Sequence, residues 1–227
     1  MRIEPLGDSA LLVRVSDQFD PEESLEAVRR GVRALERAAL PGVVELVPAY
    51  TTIAVFFNPA QTAYDTFATE IEKTLGGSFE RAERRARSDS VIEVPVCYEN
   101  EFAPDLAEVA RHAGLPEDEV ISRHASAAYR VACVGFTPGF PYLSGLPAEL
   151  ATPRRSSPRK EVPRGAVAIG GAQTGIYPRK SPGGWNLIGR TPLELFDVQR
   201  EPPSLFRTGD QVRFRRISRA EFDRLSQ

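Results

Sequence analysis

Residues Gly135 to Thr191 cannot fold as long helices. They hold ten of the chain's seventeen glycines and eight of its nineteen prolines. Proline removes an amide donor that a helix interior needs, and glycine in a helix costs about 1 kcal/mol relative to alanine. The stretches GFTPGFPYLSGL, PRRSSPRKEVPRGAVAIGGAQTGIYP and SPGGWNLIGRTP interleave these turn residues with Phe136, Phe140, Tyr142, Tyr177 and Trp185. A flexible linker carries no such anchors, so the segment reads as fixed turns between short strands. From Ala151 to Arg190 eight basic side chains, Arg154, Arg155 and Arg159 among them, stand against the single acid Glu161. In a chain of formal net charge −2 this places a positive pocket at one position along the sequence.

The bulk figures exclude several classes. Apolar residues make up 41% and charged residues 26% of the 227, as in an ordinary soluble globular protein. No apolar run reaches the roughly 18 residues of a membrane span, and MRIEPLGDSALLVRV lacks the basic-then-apolar layout of a signal peptide, so the expected location is the cytoplasm. A net negative charge argues against a general nucleic-acid binder. Cys97 and Cys133 read as a pair of buried thiols, and with His112 and His124 they offer no metal-ligand spacing, so no metal site is expected. Residues 1–90 carry 11 basic and 15 acidic side chains and residues 91–227 carry 18 and 16, which assigns an anionic ligand to the second half.

The length favours two compact halves or one large β-rich domain, and the pattern sets a boundary near residue 88. Residues 1–88 read as an α+β domain. Ala10 to Val15 and Thr51 to Phe57 are strands, and Val43 to Val47 is a third. Pro21 to Ala39 is a helix capped by Asp20, with Leu25, Val28, Val32 and Leu35 on its buried stripe, and Thr62 to Leu75 is a second helix stopped by Gly76-Gly77. This β-α-β-β-α order is that of a ferredoxin-like split βαβ unit, and Val91 to Val96 is available as its last strand. Arg81 to Arg87 reads as a solvated connector. In residues 89–227, helices over Ala103 to Ala113 and Pro116 to Ala125 precede short runs at Tyr129 to Val134, Ala166 to Gly170, Leu187 to Gly189, Leu193 to Asp197 and Gln211 to Phe214. Short strands alternating with Pro/Gly turns form a closed β-barrel pattern. Ala220 to Gln227 reads as a helical tail.

Two readings stand for each candidate residue. GGAQTG, Gly170 to Gly175, is either a β-turn or a loop whose amides face an anion; it does not match the P-loop pattern, and Gln173-Thr174 between glycines favours a ligand. Trp185 and Asn186 after Gly183-Gly184 are either core or the wall of a small-molecule pocket. His124 is either a hydrogen-bonded structural residue or an acid or base. The arginines suit carboxylate or phosphate recognition through paired donors, or solvate a surface.

The chain resembles the KipI-type family, also catalogued as allophanate hydrolase subunit 1 and as a carboxyltransferase C/D domain. The resemblance rests on GDSALLV (7–13), GFTPGFPYLSGL (135–146), ATPRRSSPRKEVPRGAVAIGGAQTGIYP (151–178) and SPGGWNLIGRTPLELFD (181–197). It implies that the second domain is a cyclophilin-like β-barrel. It also implies partners. One is a KipA-type C subunit. The other, in the ATP-dependent 5-oxoprolinase whose B subunit is a family member, is a LamB/YcsF-type A subunit, with ATP, accompanied by magnesium, hydrolysed as 5-oxoproline is opened to glutamate. Other members imply inhibition of a sensor histidine kinase or a carboxyltransferase part in a biotin-dependent urea-degrading system. Carried over to this chain, the resemblance implies Arg154, Arg155 and Arg159 for anionic groups, Gln173 and Thr174 for the substrate amide or phosphate, and Tyr177, Trp185 and Asn186 as pocket wall. His124, Arg154 and Gln173 are its expected catalytic residues.

Overall fold

The structure, a computed structural model, describes residues 1–76 and 91–226, so the connector expected at Arg81 to Arg87 lies outside the described residues. The chain divides into two compact units, Met1–Ser88 and Asp89–Gln227.

In the first unit, strands β1 (Arg2–Pro5), β2 (Ala10–Arg14), β3 (Val43–Ala49) and β4 (Thr52–Phe57) form an antiparallel sheet in the order β1-β2-β4-β3. Helix α1 (Glu23–Ala38) packs on α2 (Tyr64–Gly76) and on β3 and β4. The helix begins at Glu23, after the expected start at Pro21, and just ahead of it Asp20 Oδ1 accepts from the amides of Glu22 (2.8 Å) and Glu23 (2.7 Å). The buried stripe is Leu25, Val28, Gly31, Ala34 and Leu35, with Val32 only half-buried. Val28, Ala34 and Leu35 meet Leu11, Val13, Ile53, Val55, Phe57, Phe67 and Ile71 in one core. The fourth strand of this sheet is β1. Ile92–Cys97 (β5), available in sequence for that place, pairs in the second unit instead.

The second unit is a closed barrel of seven strands. Adding β6 (Tyr129–Val134), β7 (Pro141–Ser144), β9 (Ala166–Gly170), β10 (Gln173–Ile176), β12 (Asn186–Arg190) and β13 (Gln211–Ile217), the order runs β6-β13-β5-β12-β9-β10-β7, and β7 pairs back onto β6. Closure leaves no open sheet edge among these strands. β13 and β5 are parallel, the other pairs antiparallel. β8 (Arg159–Val162) and β11 (Ser181–Gly183) form a separate two-stranded ribbon. Helices α3 (Leu106–Ala113) and α4 (Glu117–Ser126) pack against each other, α3 also against β12 and α4 against β13, and α5 (Arg219–Leu225) follows β13. The run Leu193 to Asp197 is not a strand; it makes one isolated bridge, Phe196 to Ser204. Both cysteines are free thiols, Cys97 buried and Cys133 half-buried. No helix among the described residues is long and apolar enough to cross a membrane.

Strand β9 divides the barrel chemistry. Val167 and Ile169 enter the principal core with Val131, Leu143, Ile188 and Phe214. Ala166 and Ala168, on the opposite face of the pleat, enter a second cluster with Phe140, Tyr177, Trp185 and Leu187.

Candidate functional site

The second cluster is an aromatic wall with a cation on it. Trp185 is 5% exposed, and its ring lies against two strand glycines. A Cβ on Gly170 would stand 2.6 Å from Trp185 Cγ, and one on Gly175 would stand 2.9 Å from Phe140 Cζ and from the Pro141 carbonyl oxygen. These glycines therefore make room for rings. Phe140 meets Tyr142, Tyr177 and Trp185 edge to face at 4.9, 5.1 and 5.6 Å. Above the wall, the exposed Arg154 sets its guanidinium 5.6 Å from the Trp185 ring centre. The Tyr177 hydroxyl bonds to the Trp185 backbone, and burial pushes its phenol up from the ordinary tyrosine range. Arg154→Ala is expected to change stability by less than about 1 kcal/mol, because the side chain is exposed, while shifting tryptophan emission. Chemical denaturation with fluorescence detection checks both; a larger loss makes Arg154 a packing residue.

Arg155 and Arg159 converge on a carboxylate that the sequence does not mark as part of a site. Asp105 Oδ1 accepts from Arg155 Nη1 (2.9 Å) and Arg159 Nη2 (2.8 Å), and Oδ2 from the Leu187 amide (2.7 Å). The Leu187 carbonyl accepts in turn from the Asp105 amide at 3.0 Å, fixing the start of α3 to β12. The expected helix from Ala103 puts Asp105 inside its first turn and not at the cap position, which is why sequence reasoning passes over it. In the structure Asp105 occupies that position but its side chain caps nothing. The Arg155 amide donates to the Gly184 carbonyl (2.8 Å), holding the arginine-bearing segment on the turn before Trp185.

Gln173 and Thr174 are in strand β10, so GGAQTG is not a phosphate loop. The turn is Gly171-Ala172, with Gly171 at φ 66°. Strand alternation puts Gln173, opposite Gly170, on the tryptophan side with Gly175, and puts Thr174 on the other. Thr174 is fully buried there. Its hydroxyl donates to the Ala168 carbonyl (3.0 Å), which leaves the oxygen to accept from His124 Nε2 (3.0 Å), and His124 Nδ1 then accepts from the Tyr98 hydroxyl (2.9 Å). The network sets the tautomer, with the proton on Nε2. His124 is 0% exposed and stacks on Phe214 at 4.5 Å. Burial pushes its pKa from 6.5 down to about 3. Of the two readings of His124, this environment favours the hydrogen-bonded structural residue: burial disfavours the imidazolium and both nitrogens are engaged. Thr174 shares that environment, its hydroxyl engaged inside the core. Asn186 is likewise a tie, Nδ2 donating to the Pro153 carbonyl (2.9 Å) and the Ile169 carbonyl (3.3 Å).

The structure thus gathers Arg154, Tyr177 and Trp185 on one wall, sets Gln173 on the same side of the sheet, and clasps Arg155 with Arg159 on Asp105. Residues 1–206 match the family model described as carboxyltransferase domain, subdomain C and D. The chain belongs to that family. It is 40% identical to the 5-oxoprolinase B subunit of Bacillus subtilis (strain 168), covering 97% of this chain and 95% of that protein. It is 44% identical to the 5-oxoprolinase B subunit of Escherichia coli O157:H7, covering 92% and 93%. Among solved structures, that of TTHA0988 superposes with a TM-score of 0.78 at 38% identity, over 92% of this chain; the chain spans only 40% of that protein. The Kluyveromyces lactis urea carboxylase, at 19% identity and a TM-score of 0.73, shares the fold over 97% of this chain and 22% of its own.

Proposed function

We propose that this chain is the B subunit of an ATP-dependent 5-oxoprolinase, acting in the cytoplasm with the KipA-type C and LamB/YcsF-type A subunits. The observation that carries this is the near end-to-end match with two proteins named as 5-oxoprolinase B subunits. The lactam amide is stable, so its opening is coupled to phosphoryl transfer. The lactam oxygen takes the γ-phosphoryl group and ADP leaves; water adds at the activated carbon and the C–N bond breaks to give an acyl phosphate; a second water releases phosphate and glutamate. Charge builds on the transferring phosphoryl oxygens, where guanidinium groups are most effective. Arg154, Arg155 and Arg159 are the proposed anion contacts, Gln173 the proposed contact for the lactam amide, and Tyr177 with Trp185 the wall. Magnesium arrives on the nucleotide phosphates; among the described residues no group of three or more His, Cys, Asp or Glu is placed to hold it.

In the same reading the second unit is a cyclophilin-like barrel and the first a variant of the ferredoxin-like split βαβ unit. The antiparallel order β2-β4-β3, with α1 joining β2 to β3, supports the latter. A second reading, a carboxyltransferase part in urea breakdown, draws on 29% identity to a putative urea carboxylase of Emericella nidulans, but over only 54% of this chain.

Reconstitution with both partners is expected to give ADP release that depends on 5-oxoproline, while the chain alone turns over neither substrate. A complete complex whose ATP hydrolysis ignores 5-oxoproline rejects the oxoprolinase reading, and turnover by the pure chain rejects the need for partners.

A further inference from the structure

One buried carboxylate holds two guanidinium groups where the sequence concentrates its cations. The Asp105 side chain is 4% exposed, against 37% for Arg155 and 24% for Arg159. The three formal charges sum to +1. Arg159 Nη1 is buried and makes no hydrogen bond, so its donor still lacks an acceptor oxygen, a costly arrangement for a charged group. Arg154 and Arg159 both lie near enough to the Tyr177 hydroxyl to favour its ionised form, which puts the two cations beside the same aromatic wall.

We propose that Asp105 is a positioning residue for an oxyanion seat: it fixes one edge of the Arg155 and Arg159 guanidinium groups so that Arg159 Nη1, with Arg154 over Trp185, receives a carboxylate or phosphate oxygen. This deepens the oxoprolinase reading and rests on it for the identity of the anion. The fork of arginine, with several donors in fixed directions, serves the carboxylate of Asp105 and an incoming oxygen together; a lysine ammonium has no such fixed geometry. Bound anion also balances the residual positive charge, which the buried Asp105 alone leaves uncompensated.

Trp185 is the chain's only tryptophan, so intrinsic fluorescence of the full chain reads this face directly. Titration with inorganic pyrophosphate and, separately, with 5-oxoproline is expected to give a saturable change with at least one of them, and the responding anion distinguishes phosphate from carboxylate. Arg159→Lys keeps a cation opposite Asp105 but removes Nη1, and is expected to raise Kd at least about tenfold, the value of one charge-assisted hydrogen bond. Asp105→Asn is expected to do the same if its melting transition persists; where it does not fold, Arg159→Lys decides. In the complete complex both variants are expected to raise KM for the responding substrate about tenfold, with any loss of kcat added to it, whereas a folding defect lowers kcat and leaves KM. No response of the wild-type chain to either anion, or an Arg159→Lys chain that titrates like wild type, overturns the proposal. A wild-type complex indifferent to 5-oxoproline overturns the oxoprolinase reading instead, and the pyrophosphate titration still judges the seat.

Discussion

His124→Ala is expected to lower the unfolding free energy by about 3–5 kcal/mol, the combined cost of a large buried void and a stranded hydroxyl. The imidazole is sealed between Phe214, Tyr98 and Thr174, and its loss leaves the Tyr98 hydroxyl without its acceptor in the core. The wild-type protein is expected to show a matching acid sensitivity. Its histidine titrates at about 3 when folded and at 6.5 when unfolded, so between these values the unfolded chain binds the extra proton. Stability from this group is therefore complete above pH 6.5 and falls as pH drops, by about 2 kcal/mol at pH 5 and roughly 4–5 kcal/mol in full near pH 3. Urea denaturation at pH 7.5, 6 and 5 measures the slope, and in His124→Ala that slope should vanish. A mutant with wild-type stability, or with the wild-type pH slope, would place the imidazole in water and restore it as an acid–base candidate.

Gly170→Ala is expected to cost about 2–3 kcal/mol through overpacking. Position 170 is at the end of a strand and its backbone suits any residue, so the cost arises from space alone: the added carbon would overlap the Trp185 ring, which Phe140, Gly175 and the Arg154 guanidinium confine. The ring must tilt outward, and Arg154 then loses the face it stands over. Tryptophan emission is therefore expected to shift red as the denaturation midpoint falls. Unchanged emission with wild-type stability would mean that the ring has room to slide, and the wall would lose its standing as a rigid surface.

Much of the fold is legible before any coordinates, because the signals are local. Asp20 and the Leu25–Val28–Leu35 spacing specify α1 with side chains that act within one turn of themselves. The proline and glycine density after Gly135 rules out helix and leaves short strands. Pairings are harder. Val91 to Val96 has the composition of a strand in either unit, and its parallel register with Gln211 to Ile217 depends on residues more than a hundred positions away. Leu193 to Asp197 has an apolar run that bonds only to Pro203–Leu205, through an isolated bridge too short to make a strand. The site is readable as a concentration of arginine and aromatic residues, whereas its internal logic is not. Gln173 and Thr174 look alike as a polar pair, yet the pleat turns one toward the wall and buries the other beside His124. Asp105 carries no signal in sequence beyond that of an acid in the first turn of a helix, since its arginines lie 50 and 54 positions later.

The hairpin of β9 and β10 carries two messages on alternate letters. Gly170 and Gly175 spell a place for the indole, while Thr174 and Ile169 spell the inner core, and the turn Gly171-Ala172 keeps the letters in phase. Inserting one residue in that turn is a frameshift in space: threonine moves to the arginine side and glycine under the histidine, so both messages are lost together although no amino acid has been substituted. A change of length in this turn therefore costs both faces at once, whatever residue is added.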